Sequence, residues 1–415
     1  MINLSEEKIK IITKYWIRIL EIKLGWIQDF DRLVVDYVIF FDYYLCHYLI
    51  QASEFFLLDA FRSSSKLLQI FYGHTKWVNS IDYSAFNDGQ FICSGSEDET
   101  LRVWDVENNE QIQSFNGHFN NVDCVKFSPY HYYNNRCNVI CSSSHDIHFW
   151  DFKHNKQLGI FNGHTDGIRG IEFSSFNGGR YLCSGSYDKT VRLWDVETSK
   201  TLHVFNGYDC VLCVGISPLQ SNSNNDSNKS NSVGVIGGNG YTICSGSYDT
   251  TIRIWDIETT KQLNIFKGHK NFVMAVKYGP NESVNSGRTN TILSGSLDKS
   301  VRLWDIRSDQ QIQVFNGHTA YILDVEYSPF VVNNIEVGDS SSVICSGSED
   351  NTIRFWDIRL NKKELYVING DSKEDNGIIC LKFLQLKKNR KSINDRGYGI
   401  NLCYGSGNGP IHIWG

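Results

Sequence analysis

Residues 163–200, GHTDGIRGIEFSSFNGGRYLCSGSYDKTVRLWDVETSK, contain the pattern that most strongly constrains the structure of this chain. They open with a Gly-His pair, continue with short runs of alternating apolar and polar residues, turn at Asp188-Lys189 and end a third run at Trp194-Asp195. A fourth run follows at residues 201–205. β-Branched and aromatic residues fill the runs, and Gly, Asn and Asp separate them, which predicts four short β-strands.

The same unit returns at intervals of roughly 45–60 residues, a period typical of repeat architectures. Its opening glycine falls at Gly73, Gly117, Gly163, Gly207, Gly268, Gly317 and Gly370. Its closing tryptophan falls at Trp104, Trp150, Trp194, Trp255, Trp304, Trp356 and Trp414. One unit cannot bury its apolar face alone, so neighbouring units are expected to pack together.

Seven units with a Gly-His opening, four strands and a Trp-Asp ending resemble WD-repeat proteins, and the resemblance covers residues 67–415. It implies an all-β fold, a seven-bladed WD-repeat β-propeller whose blades each hold four antiparallel strands, which we call a, b, c and d. Unit 7 has only three strand-like runs, but residues 67–72 read like the fourth run of unit 5. We therefore expect residues 66–72 to close the ring, which removes exposed sheet edges.

Composition supports one large domain, residues 66–415, and a separate segment, residues 1–65, because the chain has 415 residues of which 13% are aromatic. The formal net charge of −6 creates no field that favours nucleic acid, so we expect no such partner. Nothing at the N-terminus resembles a signal peptide. We expect a cytoplasmic protein, with the nucleus as the alternative compartment.

Twelve cysteines raise the question of disulfides or metal sites. Six of them share one strand-b position in different blades, which holds them apart and favours small buried side chains in a reducing compartment. The lone Cys210-Val-Leu-Cys213 pair lies on a predicted strand, where its cysteines face different sides. We expect no metal and no cofactor. The six equivalent cysteines are Cys93, Cys141, Cys183, Cys244, Cys345 and Cys403.

Residues 1–65 have a helical pattern. Ser5 can cap a helix that ends at Gly25, and a second helix follows, which predicts a helical hairpin docked on the propeller or on a partner. The apolar stretch 33–58 leaves membrane association as an alternative, although charges interrupt it before the roughly 18 residues that a span needs. The propeller is expected to be monomeric, and the sequence does not indicate whether residues 1–65 self-associate.

Each complete unit contains a histidine, serines and an aspartate, such as His164, Ser184 or Ser186, and Asp188, which are the residue types of a hydrolase triad. Five copies argue against five active sites. The resemblance implies instead that His, Asp, Ser and Trp form a buried network in each blade, so we expect no enzyme. The residues assigned to these networks are His74, Asp98, Trp104, His118, Asp146, Trp150, His164, Asp188, Trp194, Asp249, Trp255, His269, Asp298, Trp304, His318, Asp350, Trp356 and Trp414.

The insertions all lie in the connections between strands a and b, and strand connectivity places all of these connections on one face of a propeller. The opposite face is built from the d–a and b–c turns, and we call it the constant face. By the resemblance, residues flanking the first apolar residue of strand a, and the residue before the turn aspartate, point toward the channel mouth on this face. The insertions fall at residues 130–138, 219–240, 281–291, 330–342 and 385–398.

At these mouth positions, blades 4–7 present an apolar arc and blades 1–3 present mostly polar side chains, which is typical of a peptide-binding surface. The alternative is that the apolar side chains fill the channel. The predicted partner-binding residues are Trp77, Asn79, Glu97, Asp123, Arg169, Leu212, Tyr248, Phe272, Met274, Tyr321, Leu323 and Glu349.

We therefore expect a scaffold for protein–protein interaction that binds a peptide or protein segment on the constant face. Its apolar anchors are Phe272, Met274, Tyr321 and Leu323, and a basic residue of the partner reaches Glu97, Asp123 or Glu349.

Two other functions remain open. One is a substrate-recognition adaptor of a ubiquitin ligase, in which residues 5–60 dock the ligase. The other is a G-protein-β-like signalling subunit, which needs a long N-terminal coiled coil that Gly25 interrupts. The partner and the pathway are not encoded in any motif that we recognise.

Overall fold

A computed structural model describes residues 56–86, 89–217, 241–279, 291–334, 339–358, 364–371, 374–386 and 399–415. Residues Phe56–Gly415 form one compact unit. The predicted helical hairpin and the apolar stretch 33–58 lie almost entirely outside the described residues. Within those ranges, no helix has the length and apolar character needed to cross a bilayer.

Two strands and a helix precede seven sheets, which we number as blades in chain order. The preceding elements are β1 (Phe56–Leu57), α1 (Leu58–Ser64) and β2 (Leu67–Phe71). Blade 1 contains β3 (Val78–Phe86), β4 (Gly89–Ser96), β5 (Leu101–Asp105) and β6 (Glu110–Phe115). Blade 2 contains β7 (Cys124–Phe127), α2 (Pro129–Asn135), β8 (Val139–Ser143), β9 (Ile147–Asp151) and β10 (Lys156–Phe161). Blade 3 contains β11 (Ile168–Phe173), a 3-10 turn (Asn177–Gly179), β12 (Tyr181–Ser186), β13 (Thr190–Asp195) and β14 (Lys200–Asn206).

The remaining blades follow the same order. Blade 4 contains β15 (Val211–Ile216), β16 (Thr242–Ser247), β17 (Ile252–Asp256) and β18 (Gln262–Phe266). Blade 5 contains β19 (Val273–Tyr278), β20 (Thr291–Ser296), β21 (Ser300–Asp305) and β22 (Gln310–Asn316). Blade 6 contains β23 (Ile322–Asn334), β24 (Asp339–Ser348), β25 (Thr352–Asp357) and β26 (Glu364–Asn369). Blade 7 contains β27 (Ile378–Leu386), β28 (Gly399–Ser406) and β29 (Ile411–Trp414).

Each blade is an antiparallel sheet whose strands pair in chain order, and the a strands line a central channel. The prediction of an all-β, seven-bladed propeller is confirmed. Strand β2 pairs antiparallel with β29, with Phe71 opposite Ile411, and so occupies the d position of blade 7. How much this pairing contributes to holding the ring together stays a prediction.

The apolar core lies between neighbouring blades rather than inside any one of them. One cluster joins Phe149 and Phe161 of blade 2 to Ile171, Leu182 and Trp194 of blade 3, and all five are buried. A blade without its neighbours would expose both faces of its sheet, which is why the unit must repeat.

The segment before β2 packs on blade 6, which the sequence analysis did not anticipate. Strand β1 pairs parallel with β23. In α1, Leu58 and Phe61 are buried, and the Phe61 ring lies 4.6 Å from that of Phe330 and 6.1 Å from that of Phe355. Residues 58–64 therefore belong structurally with the propeller.

Candidate binding face at the channel mouth

Blades 1, 3, 5 and 6, which we call the regular blades, share one buried network beneath the constant face. In blade 3, Nδ1 of His164 lies 2.7 Å from Oδ2 of Asp188, and Nε2 lies 2.7 Å from Oγ of Ser184. The indole N–H of Trp194 donates to the same serine oxygen at 2.8 Å. Burial lowers the pKa of His164 despite its contact with Asp188, so the ring is neutral at pH 7. Ser184 is 0% exposed, so its hydroxyl has no access to a substrate.

The first of the two candidate serines carries this network in each regular blade. The second, Ser186 in blade 3, accepts the N–H of Asp188 and donates to the carbonyl of Asp166. The equivalent networks are His74–Asp98–Ser94–Trp104, His269–Asp298–Ser294–Trp304 and His318–Asp350–Ser346–Trp356.

Blade 2 departs from the expected network. His118 and Trp150 both bond Ser142, at 2.7 and 2.9 Å, but the described contacts include no hydrogen bond from Asp146 to His118. The b–c turn is two residues shorter than in blade 1, and the ring of His148 instead lies 4.3 Å from that of His118. Burial, reinforced by His148, lowers the pKa of His118 to about 3.

Blade 4 replaces the histidine with an arginine from strand c. The guanidinium of Arg253 donates to Asp249 at 2.6 Å and lies 4.5 Å from the ring centroid of Tyr208, which stands where other blades have histidine. The Trp255 N–H still donates to Ser245 at 2.8 Å. Asp249 thus keeps a buried partner, although of a different kind.

In blade 7, the acidic and basic residues of the buried network come from different elements than in the regular blades. Fully buried Asp375, from the d–a loop, accepts the hydroxyl of Tyr404 at 3.0 Å and lies 2.8 Å from Nε2 of His412. In blades 1, 3, 5 and 6 the histidine lies on the d–a loop and the aspartate on the b–c turn, whereas in blade 7 the aspartate lies on the d–a loop and the histidine on strand c. Trp414 keeps its position at the end of β29, and Tyr404 replaces the serine of strand b.

On the constant face, backbone bonds bring the two sets of predicted mouth positions together. The turn residue of a blade donates its N–H to the carbonyl of the residue that precedes strand a: Glu97 to Trp77 at 3.0 Å, and Glu349 to Tyr321 at 2.9 Å. The same bond joins Tyr248 to Cys210 and Leu297 to Phe272. The side chains of each pair therefore rise side by side around the mouth.

The wall of the mouth formed by blades 1–3 is polar. Arg169 Nη1 lies 2.6 Å from Asp123 Oδ1, and the amide of Asn79 donates to the same oxygen at 3.5 Å. Burial raises the pKa of Asp123 even though Arg169 opposes the effect. The carboxylate of Asp123 is therefore already paired with Arg169, which conflicts with its expected role as a free carboxylate for a basic residue of the partner.

The wall formed by blades 4–7 is apolar. Leu212, Met274, Leu323 and Ile379 line the channel, and Leu212 and Ile379 are buried. Above them, the rings of Tyr248 and Phe272 stack at 4.0 Å with an interplanar angle of 13°. The stack is half-buried, so part of each ring faces solvent.

An aromatic row continues around the rim beyond that stack. The Tyr187 ring meets Tyr248 edge-on at 5.9 Å, and Tyr321 is 42% exposed. Tyr248, Phe272, Tyr321 and Glu349 lie on this rim outside the channel lining. The pair Trp77 and Glu97 lies where the rim meets the channel, and the other predicted residues line the channel.

A ring of alternating charges, which sequence analysis missed, lines the channel below the mouth. It occupies the fourth position after the first apolar residue of each a strand: Asp82, Lys126, Glu172, Gly215, Lys277, Glu326 and Lys382. Three ion pairs bridge neighbouring blades, Lys382–Asp82 at 2.9 Å, Lys126–Glu172 at 2.7 Å and Lys277–Glu326 at 3.1 Å. The signal in the sequence is a charged residue that recurs at this same position of the otherwise apolar a strands.

Seven positions cannot alternate in sign all the way round, and blade 4 has the uncharged residue. A Cβ at Gly215 would lie 3.1 Å from Sγ of Cys244 and 3.7 Å from the ring of Tyr278 in blade 5, so a larger side chain has little space there. Burial opposes ionisation of Asp82, but Lys382 and Lys126 outweigh it and lower its pKa. The ring is therefore charged and internally neutral at pH 7.

We expect Lys382→Met to lower the free energy of unfolding by roughly 2–3 kcal/mol, because Asp82 stays buried without its ammonium partner. The double variant Asp82→Asn/Lys382→Met should lose less than Lys382→Met alone, since no charge is stranded. Chemical denaturation monitored by tryptophan fluorescence measures both.

The control is Lys189→Met, which breaks the exposed 3.8 Å pair with Asp209 and should have almost no effect. Equal losses for Lys382→Met and Lys189→Met would contradict a structural role for the ring.

The cysteines of the described residues are all free, and those residues contain no group of three or more His, Cys, Asp or Glu side chains arranged to hold a metal ion. The Cys210 and Cys213 thiols point to different neighbours, the carbonyls of Tyr187 and Val273.

A family model described as "WD domain, G-beta repeat" matches six stretches: residues 65–105, 109–151, 155–195, 199–256, 260–305 and 309–357. The chain is similar to nuclear distribution protein PAC1 of Arthroderma otae, at 25% identity over 223 residues, covering 50% of this chain and 46% of that protein. It is similar to autophagy-related protein 16 of Arabidopsis thaliana, at 23% identity over 219 residues, covering 52% and 38%. It is also similar to the CCR4-associated factor 4 homolog of Vanderwaltozyma polyspora, at 25% identity over 223 residues, covering 52% and 28%. The chain thus spans less than half the length of each of these relatives.

Proposed function

Because this chain belongs to the WD-repeat family, we propose that it is a non-enzymatic scaffold that binds a peptide or protein segment on the constant face of its propeller. The relatives carry names that refer to different processes, nuclear distribution and autophagy among them, so what they share with this chain is the repeat. A general interaction role fits that pattern, because propellers serve many processes. A cytoplasmic location stays part of the proposal.

The observation that carries the proposal is the half-exposed aromatic row beside an apolar wall. Large aromatic and aliphatic side chains at the centre of an interface usually supply most of its binding energy. Phe272, Met274, Tyr321 and Leu323 combine such chemistry with partial exposure, whereas the family's buried networks are shielded from any partner.

The electrostatic part of the expected interaction needs a change. Asp123 is held by Arg169, so a basic residue of the partner would gain little there. We assign that role to Glu97 and Glu349 on the rim, which lie beside Trp77 and Tyr321. The ubiquitin-ligase and G-protein-β-like alternatives depend on residues 5–60, and no feature of the described part of the chain favours either.

We expect the double variant Phe272→Ala/Leu323→Ala to lose bound partners by at least about ten-fold, while its melting temperature changes little, because these side chains are only half-buried. Affinity purification from cells with quantitative mass spectrometry measures the loss, and a thermal melt checks the fold. The matched control is Leu263→Ala/Ile312→Ala, which removes two exposed apolar side chains from outer strands.

Residues 56–415 form the third protein in this experiment, because the compact unit begins at Phe56. Partners lost only with the mouth variant support the proposal. Partners lost only with this truncation would move the function to residues 1–55, and a large fall in melting temperature for the mouth variant would make its side chains channel filler.

A further inference from the structure

The mouth leads into a pocket of limited size. The channel encloses about 180 Å³, and the ring of alternating charges lies three residues below the mouth layer, a depth of about 10 Å at the rise of a β-strand. A dry cavity of about 150 Å³ is large enough for one benzene ring, whereas pockets for larger ligands run to about 300–1,000 Å³. The space therefore suits a single ring-sized side chain.

The two walls of this pocket differ in chemistry and face each other across the channel. Leu212, Met274 and Leu323 form the apolar wall, and Asn79, Asp123 and Arg169 form the polar wall. Asp324 lies one step deeper on the apolar side, but both of its oxygens accept backbone N–H groups, from Val325 at 2.9 Å and Leu381 at 2.8 Å. It is therefore satisfied within the protein.

The charges of the polar wall determine whether it favours a charged or a neutral side chain of the partner. Asp123 and Arg169 already neutralise each other at 2.6 Å, and the three ion pairs of the ring below are also balanced. At the Asp123–Arg169 pair, an arriving cation would meet Arg169 and an arriving anion would meet Asp123, each without a free countercharge there. Another carboxylate of the pocket, Glu97, belongs to the b–c turn beside Trp77, where the proposed function places a basic residue of the partner. A neutral hydroxyl can accept from a guanidinium and donate to a carboxylate at the same time, which neither arginine nor glutamate can do.

We propose that this pocket takes a tyrosine side chain of the bound segment, with the ring against the apolar wall and the hydroxyl against the Asp123–Arg169 pair. The inference rests on the proposed binding function of the constant face and names the anchor residue of its partner. Phenylalanine satisfies only one wall and leaves the polar wall desolvated. Arginine adds a charge that the already paired Asp123 and Arg169 do not balance.

The test begins with a randomised peptide library selected on the full chain, from which clones that still bind Phe272→Ala/Leu323→Ala are removed. Tyrosine should be the enriched residue among the clones that remain. In a synthetic peptide from that set, replacing the enriched tyrosine with phenylalanine should weaken binding about ten-fold, the worth of a hydrogen bond to a charged group. The same replacement should have little effect on the variant Asp123→Ala/Arg169→Ala, which removes both charges together.

The outcomes separate this inference from the function on which it rests. Clones enriched in arginine or phenylalanine, but still dependent on Phe272 and Leu323, would overturn the tyrosine anchor and leave the binding face standing. A library with no clone that depends on those two residues would overturn both. If the charge-free variant fails to fold, the identity of the enriched residue and the Tyr→Phe loss on the wild-type chain still decide the question.

Discussion

Replacing Trp194 with alanine is expected to lower the free energy of unfolding by about 3–5 kcal/mol, the range for removing a large aromatic side chain from a core. The indole is 1% exposed and lies between blades 2 and 3, with the Phe161 ring centroid 5.6 Å away. The substitution also removes the indole N–H that donates to Ser184 in the buried network. Because the cores lie between blades, a cavity there weakens two blades at once. Denaturant unfolding followed by circular dichroism measures the change.

The matched control is Trp77→Ala, which removes the same side chain from the half-exposed rim of the mouth. It should cost much less stability, because a partly solvated indole leaves no closed cavity. Similar losses for the two tryptophan variants would contradict the assignment of Trp194 to the core and Trp77 to the binding face.

Removing strand β2 is the second change with a large expected effect. A chain of residues 73–415 should be less stable than one of residues 66–415 by at least about 4 kcal/mol, because a buried aromatic side chain and a whole ladder of strand hydrogen bonds are lost. Phe71 is 3% exposed and its ring lies 5.3 Å from that of Trp104 in blade 1. The deletion also leaves β29 as an unpaired edge, which promotes association between molecules.

A chain of residues 56–415 serves as the reference, because it retains β1 and α1. The step from 56–415 to 66–415 measures the contribution of α1 on blade 6, and the step from 66–415 to 73–415 measures the closing strand. Equal melting temperatures for the last two chains would refute the idea that β2 holds the ring closed. Partial recovery on adding a synthetic peptide of residues 64–72 would support it.

The repeat itself was readable from the sequence, because glycine, histidine, aspartate and tryptophan recur with one spacing. The networks of blades 1, 3, 5 and 6 use the residues that this spacing identified. Blades 2, 4 and 7 depart from that pattern at Asp146-Ile147, Gly207-Tyr208 and Gly370-Asp371, but the sequence does not show which partners replace the missing ones. Arg253 and His412 come from strand c, and only the folded blade shows that their side chains reach Asp249 and Asp375.

The mouth shows the same division between pattern and contact. Sequence register predicts which residues lie around the channel mouth, and the apolar arc of blades 4–7 follows from that register alone. The state of Asp123 did not follow, because its partner Arg169 lies 46 residues away in another blade. The carboxylate that the sequence offers to a partner is already ion-paired with a side chain of the next blade.

The sequence by itself determined the number of blades, the strands within each blade and the identity of the constant face, because these depend on local periodicity and on spacing along the chain. The tertiary structure alone decided which charges of neighbouring blades pair around the channel, where α1 packs and which residues replace the usual partners in blades 4 and 7. These features join residues from different elements or blades, and their energies depend on distance and burial, which a linear pattern does not record. The ring of alternating charges illustrates the difference: each charge is visible in its strand, but their neutrality appears only when the propeller closes.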